Sequence, residues 1–264
     1  MRRRICFFDI DGTLWDRQNH IPPSAVYAIR RLREQGHYAL ICSGRSRSYI
    51  QHEGLLSIGF DGIVSGAGAM LELNGEVVFS LTLPPEGVLK AVTEARAHGY
   101  TPLLEGVRTT CVEEEDFPVP AYFQKLKQEL GDTMEPLSRR WGKWDDISKL
   151  TVIAKPGAAP MKELQQKLSG TADFLIHAPT LAELVIPGVN KGTGLLAACK
   201  ALQMDPADAV AFGDSANDLD MIRAAGTGVC MGNGTEILKR AADLVAPPMD
   251  EDGIERALKQ LGCI

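Results

Sequence analysis

The sequence predicts an α/β protein: a parallel β-sheet covered by helices on both faces, with a smaller α+β segment inserted into it. Three observations lead there. Short, nearly continuous apolar runs alternate with amphipathic helical patterns at both ends of the chain, as strands buried on both faces require. The alternation stops near Leu83 and resumes near Val185. The chain has 264 residues, 45% of them hydrophobic and 23% charged, which suits a folded core plus a smaller second domain.

The first strand candidate is the apolar run Ile5 to Ile10. A helix follows over Pro22 to Gln35, because Val26, Ile29 and Leu32 recur at helical spacing, with Ser24 placed to cap it and Gly36 to end it. Tyr38 to Cys42 reads as the second strand, Ser43-Gly44-Arg45 as the turn after it, and the next residues as another helix. Phe60 to Ser65 reads as the third strand. Pro84 and Pro85 then break the pattern. The hundred residues that follow carry the acidic run Glu113 to Asp116, a bend at Pro118 and Pro120, and a basic aromatic patch at Arg139, Arg140, Trp141, Lys143 and Trp144. Strand-like runs recur at Leu150 to Ala154 and Phe174 to Ala178. The expected division is therefore a core of residues 1–82 and 186–264 and an inserted domain of residues 83–185. Past Lys191 the sequence predicts a helix over Thr193 to Leu202 and a strand over Ala209 to Phe212. A helix over Asp218 to Ala225, a strand over Gly228 to Met231 and a C-terminal helix complete it.

Composition excludes several classes. There are 28 Lys and Arg against 34 Asp and Glu, a formal charge of −6, which disfavours a protein built to grip nucleic-acid phosphates. No run approaches the roughly 20 apolar residues of a membrane-spanning helix. The basic start at Arg2 to Arg4 is followed by only four apolar residues before Asp9, too few for a signal peptide. The six cysteines contain no C-x-x-C pair, so buried free thiols in a reducing compartment, the cytoplasm, are expected.

Four segments could carry chemistry. In Asp9-Ile10-Asp11-Gly12-Thr13, two carboxylates follow a strand and reach the space beyond its carboxyl end, where open α/β sheets place their sites. Close carboxylates repel, and a hard divalent cation such as Mg²⁺ relieves that repulsion. A solvated Asp-Gly turn is the plain alternative. Gly213-Asp214-Ser215-Ala216-Asn217-Asp218 places a second acidic group at a strand end, where Ser215 or Asp218 could instead simply cap a helix. Ser43-Gly44 offers a hydroxyl and backbone N–H groups to a phosphate. Lys191 could hold a phosphate as a point charge, or be an ordinary surface lysine.

Taken in order and at their spacing, these segments resemble the four motifs of the haloacid dehalogenase superfamily of phosphohydrolases: Asp9-x-Asp11-Gly-Thr, Ser43-Gly44-Arg45, Lys191, and Gly213-Asp214-x-x-Asn217-Asp218. The insert resembles the C2B cap of the Cof-type branch, and the tail (Met231-Gly-Asn-Gly, Ala242-Asp243, Asp250-Glu-Asp-Gly253-Ile254) is similar to that branch too. The resemblance implies a Rossmann-like core with an inserted cap. It implies that Asp9 is the nucleophile that becomes an aspartyl-phosphate, and that Asp11 is the general acid and base. Ser43, Gly44, Lys191 and Asn217 are then the phosphate-binding residues. Asp9, Asp11 (through its main-chain carbonyl), Asp214 and Asp218 form the Mg²⁺ site. The implied substrate is a small phosphomonoester such as a sugar phosphate or phosphorylated cofactor, handled by a monomer or weak homodimer with no nucleic-acid or membrane partner. A phosphomutase, or a phospho-ligand sensor that has lost catalysis, is the alternative. One departure is Ser65-Gly66-Ala67, where many Cof-type relatives carry Asn-Gly-Ala.

A rival string, Gly192-Thr-Gly194-Leu-Leu-Ala197, superficially fits a dinucleotide fingerprint, but it leaves the Asp9/Asp11 pair unexplained. The tryptophan patch is expected to be a loop of the inserted domain, and the acidic run Glu113 to Asp116 a solvated face.

Overall fold

The computed structural model describes residues 2–264, which form two compact units. The first holds the N-terminal residues to Gly44, Glu53–Phe79 and Asn190–Ile264. The second holds Arg45–His52 and Ser80–Val189. In chain order the strands are β1 (Ile5–Phe8), β2 (Tyr38–Cys42), β3 (Gly62–Ser65), β4 (Met70–Leu73), β5 (Glu76–Ser80), β6 (Tyr100–Gly106), β7 (Thr110–Cys111) and β8 (Met134–Glu135). They continue with β9 (Ile147–Ala154), β10 (Asp173–Ala178), β11 (Leu181–Val185), β12 (Ala209–Gly213), β13 (Thr227–Cys230) and β14 (Leu244–Val245).

The first unit is built on an eight-stranded sheet ordered β14-β13-β12-β1-β2-β3-β4-β5. Strand β1 lies in the middle, parallel to β2 on one side and to β12 on the other, with Phe8 level with Ile41 and Phe212. The chain winds outward from β1 in both directions, so β1 marks the switch point of the sheet, and the ends of β1, β2 and β12 open on one crevice. All four residues of β1 are buried. Ile5 and Phe7 pack with Leu40, Leu195, Ala198 and Ala211, while the Phe8 ring stacks on Phe212 with centroids 4.8 Å apart. Strand β4 runs antiparallel to β3, so the sheet is mixed at that edge rather than parallel throughout.

The sequence reading misplaces three local features. The helix Pro23–Glu34 takes Pro22 as its cap residue with no side-chain cap bond, because Pro23 occupies the first turn, so Ser24 caps nothing. After Ser43-Gly44 there is no full helix, only a single tight turn at Arg47–Tyr49 and the four-residue helix Glu53–Leu56. Residues 45–52, expected in the core, pack with the second unit instead. Ser48 Oγ donates to the Gly106 carbonyl at 2.8 Å, Thr133 Oγ1 donates to the Ser48 carbonyl, and Tyr49 packs with Phe123 and Leu126.

The second unit has a six-stranded sheet ordered β10-β11-β9-β6-β7-β8, antiparallel except between β7 and β8. Strand alternation sorts its two faces. Tyr100, Leu104, Leu150, Val152, Ala182 and Leu184 form one apolar core with Val88, Val92 and Ala95 of the helix Pro85–Ala97 and with Leu164 of the helix Met161–Lys167. Thr101, Leu103, Glu105, Lys149, Thr151 and Glu183 lie on the opposite face. There Leu103 joins Phe117, Phe123, Leu126 and Leu130 around the helix Pro120–Leu130. Trp144 is buried in the main core, and Trp141 is half exposed with its ring 5.3 Å from that of Trp144. The acidic run is not wholly a solvated face. Asp116 pairs with Arg96 at 2.7 Å and Lys155 at 2.9 Å, which tie the segment down.

Candidate active site

Asp9 is the first residue past β1, held there by its N–H donating to the Phe212 carbonyl at 3.0 Å. Its side chain is buried. Lys191 opens the helix Lys191–Ala201, whose first turn is fixed by Asn190 and Thr193 capping each other. That helix sits close to the sheet because of its glycines. A Cβ on Gly194 would lie 2.5 Å from Val64 Cγ1, and one on Gly192 would lie 2.6 Å from the Asp220 carbonyl oxygen. The apparent dinucleotide fingerprint is thus a packing pattern inside a helix, and its glycines make no phosphate-binding turn.

The close approach carries the Lys191 ammonium into a cage of carboxylates. Its Nζ donates to Asp9 Oδ1 and to Asp218 Oδ1, both at 2.6 Å, with the lysine side chain 1% exposed. Asp218 Oδ2 accepts from the backbone N–H groups of Asp214 and Ser215 at 3.0 and 3.1 Å. Both Asp218 oxygens are engaged, so this residue pins Lys191 and shapes the Asp214 loop. Carboxylate oxygens of Asp9, Asp214 and Asp218 all lie within 4.8 Å of one another. Asp214 Oδ1 is buried with no hydrogen-bond partner.

The electrostatics follow from this crowding. Burial first, then Asp218, pushes the Asp9 carboxyl well above the usual carboxylate range, with Lys191 opposing. Burial and Asp218 raise Asp214 to about 7. Burial alone would lower the Lys191 ammonium, but Asp218 and Asp9 outweigh it and raise it. Three carboxylates against one ammonium leave excess negative charge in a space lined by hard oxygen donors. With one buried oxygen unclaimed, this donor set fits a divalent cation such as Mg²⁺.

The structure places the other expected residues around this cluster. Asp11 lies outside the three-carboxylate group, and its Oδ1 accepts from the Trp15 indole at 2.9 Å. The Asp11–Trp15 loop closes on itself, with Gly12 N–H donating to the Trp15 carbonyl. Ser43 is buried at the end of β2, its N–H donating to the Val64 carbonyl and its own carbonyl accepting from Ala67. Gly44 follows it. Asn217 Oδ1 accepts from Ser215 Oγ at 2.6 Å. Ser65 Oγ, at the departure from the family pattern, is buried without a partner.

Two residues escape a reading of the sequence. Trp15 orients the Asp11 carboxylate, and Asn233 Nδ2 donates to the Gly12 carbonyl at 2.7 Å while its Oδ1 accepts from Met249 N–H. The Trp15 signal was its position four residues after Asp11, within one turn. Asn233 lay in the quoted tail string, but nothing in the chain order places it beside Gly12.

Gly12 is the tightest point. Its φ is +82°, and a Cβ there would lie 2.3 Å from Asp214 Oδ2. Gly12→Ala is expected to cost about 1–3 kcal/mol through backbone strain alone. It also displaces the Asp214 carboxylate, so Mg²⁺ affinity measured by calorimetry falls while circular dichroism reports an intact fold.

An α/β core with a buried aspartate–lysine–aspartate cluster at its switch point, interrupted by a separate α+β unit, defines a class of hydrolase. The chain belongs to the haloacid dehalogenase-like hydrolase family, whose model matches residues 6–258. Among relatives, it is 31% identical over the full length of both chains to YkrA of Bacillus subtilis (strain 168), itself assigned to the phosphatases only provisionally. It is 26% identical to a phosphoglycolate phosphatase of Methanopyrus kandleri, with 96% of this chain and 94% of that one covered. Among solved structures, it superposes with a TM-score of 0.82 and 25% identity on BT4131, described as a subclass IIB sugar phosphatase of the superfamily. That match covers 99% of this chain and all of the other.

Proposed function

We propose that this protein is a cytoplasmic Mg²⁺-dependent phosphatase that hydrolyses small phosphomonoesters, sugar phosphates or phosphorylated cofactors, through an aspartyl-phosphate on Asp9. The observation that carries the reading is the convergence of Asp9, Lys191, Asp214 and Asp218 from both ends of the chain on one buried point. Asp9 and Asp214, with the Asp11 main-chain carbonyl, are the residues that would hold the cation, and Asp218 acts by positioning its neighbours. Bound there, a divalent ion supplies charge neutralisation for the phosphoryl oxygens.

The chain's own groups account for the remainder. Lys191 holds Asp9 Oδ1, which leaves Oδ2 as the oxygen that attacks phosphorus. The ester P–O bond breaks, and Asp11, steadied by Trp15, gives its proton to the departing alkoxide. Asp11 then takes a proton from the water that attacks the phosphorus. The bond to Asp9 breaks, freeing inorganic phosphate and restoring the carboxylate. Ser43, the Gly44 backbone and Lys191 bind the transferring group, and Asn217, tied to Ser215, orients that end of the site. Residues 83–185 act as a C2B-type cap. Six buried cysteines, all free, support a reducing compartment. No described helix is long and apolar enough to cross a membrane.

Purified protein assayed with 4-nitrophenyl phosphate is expected to turn over with Mg²⁺ and to lose that activity in EDTA, regaining it on Mg²⁺ addition. Activity indifferent to EDTA refutes the cation site.

A further inference from the structure

The loop that follows β13 ties together three segments of the first unit, and none of the steps above uses it. It starts beside β12, where Met231 N–H donates to the Gly213 carbonyl at 2.9 Å. Gly232 N–H donates to the Pro247 carbonyl at 3.3 Å, and Thr235 N–H donates to the Asp214 carbonyl at 2.7 Å. Between these two backbone anchors stands Asn233. Its Nδ2 donates to the Gly12 carbonyl at 2.7 Å, and its Oδ1 accepts from Met249 N–H at 3.1 Å. Only this orientation of the amide serves both neighbours, because a carbonyl accepts and a backbone N–H donates. Asn233 and Met249 line one open pocket of about 520 Å³ with Asp11, Gly12 and Asp214.

Gly12 is where such a tie matters most. Its positive φ and the approach of Asp214 Oδ2 admit only glycine, the residue whose backbone restrains itself least. Two hydrogen bonds supply the restraint. Gly12 N–H donates to the Trp15 carbonyl at 2.9 Å, which orients the planar Asp11–Gly12 peptide, and Asn233 holds the Gly12 carbonyl, which orients the next one. Two residues beyond Asn233, Thr235 grips the Asp214 backbone. One short piece of chain therefore fixes both the Gly12 turn and the Asp214 loop. Asn233 itself is exposed and fills no core, so its two bonds act on geometry more than on stability.

We infer that Asn233 is a positioning residue: acting through Gly12, with Met249 as its anchor, it sets the spacing between the Asp11 main-chain carbonyl and the Asp214 carboxylate, and with it the cation affinity of the site and the aim of the Asp11 side chain. The chemistry it serves rests on the phosphatase reading. Asn233 touches neither the phosphoryl group nor the cation. The anchor matters because an amide held at one end follows the turn, whereas one held at both ends keeps it in place.

The test uses the intact protein, Asn233→Leu, which keeps the branched shape and removes both bonds, Met249→Pro, and the double variant. Met249→Pro deletes the anchoring N–H at the first position of a tight turn, after a residue whose ψ of 156° already suits a following proline. Mg²⁺ affinity is read by calorimetry without substrate, and kcat and KM with 4-nitrophenyl phosphate at saturating Mg²⁺. In Asn233→Leu, Mg²⁺ binding is expected to weaken about tenfold and kcat to fall at least about tenfold, the scale on which groups that orient metal ligands act. KM is expected to stay within about twofold, because Lys191 is held by other segments. The melting temperature is expected to stay within about 4 °C. Met249→Pro is expected to act in the same direction by roughly threefold and to add nothing in the double variant, since both substitutions break one chain of contacts. Unchanged Mg²⁺ affinity and kcat in Asn233→Leu, or additive losses in the double variant, overturn the positioning role while the phosphatase reading stands. If Asn233→Leu melts early, Met249→Pro supplies the same comparison. A wild type inert toward the aryl phosphate overturns the phosphatase reading instead, and the substrate-free Mg²⁺ affinities still decide the brace: equal values overturn it and a weaker Asn233→Leu supports it.

Discussion

Asp9→Asn is expected to abolish turnover while leaving the fold as stable as before or more so. The amide keeps the shape of the carboxyl and its oxygen can still accept from Lys191, but it is a far poorer nucleophile toward phosphorus. A loss of at least about 10³-fold in kcat is expected when a covalent nucleophile is removed. The stability result has the opposite sign to the usual active-site lesion. Asp9 is a carboxylate whose ionised form the fold disfavours, through burial and the charge of Asp218. A group whose folded pKa is raised costs stability once pH exceeds its unfolded value. Removing the charge removes that cost. Thermal melting without Mg²⁺ at neutral pH should therefore show the Asp9→Asn variant unfolding at or above the wild-type temperature, and a large downward shift would contradict the electrostatic account.

Lys191→Met is expected to abolish turnover and to destabilise. Lys191 is the cation that the described ion pairs place between Asp9 and Asp218, at 2.6 Å from each. Methionine fills much of the same volume but leaves two buried carboxylates facing each other uncompensated. Breaking a buried pair from one side costs about 3–5 kcal/mol, or roughly a 10 °C fall in melting temperature for a chain of this size. Mg²⁺ should restore part of it by neutralising the same oxygens. In the double variant Asp9→Asn, Lys191→Met, the loss is expected to be smaller than in Lys191→Met alone, because one of the stranded charges is gone. Additive effects in a urea-denaturation cycle would show that the two side chains do not share an electrostatic site.

These opposite signs explain why the site was legible early. Paired acids after β1 and β12 are unfavourable in themselves, and a chain that keeps both beside strands signals a compensating cation. The strands could be read because Ile5–Phe8, Tyr38–Cys42 and Ala209–Gly213 are short apolar runs that end at the polar residues Asp9, Ser43 and Asp214. Errors arose where local signals compete. Ser24 is a good cap residue by type, but Pro23 had already fixed the first turn. The stretch after Gly44 looked helical, yet Ser48 and Tyr49 find their partners in β6 and in the helix Pro120–Leu130, more than fifty residues away.

The order of motifs, their placement at strand ends and the membership in a hydrolase family were properties of the linear chain, since apolar periodicity and residue spacing are local. Tertiary structure alone decided that Lys191 bridges Asp9 and Asp218, that both Asp218 oxygens are consumed in positioning, and that Trp15 and Asn233 brace the Asp11–Gly12 turn. Each depends on distances of a few ångströms, between residues as close in sequence as Trp15 and Asp11 or as far apart as Lys191 and Asp9, set by how side chains pack once the strands are side by side. No local pattern encodes such a distance.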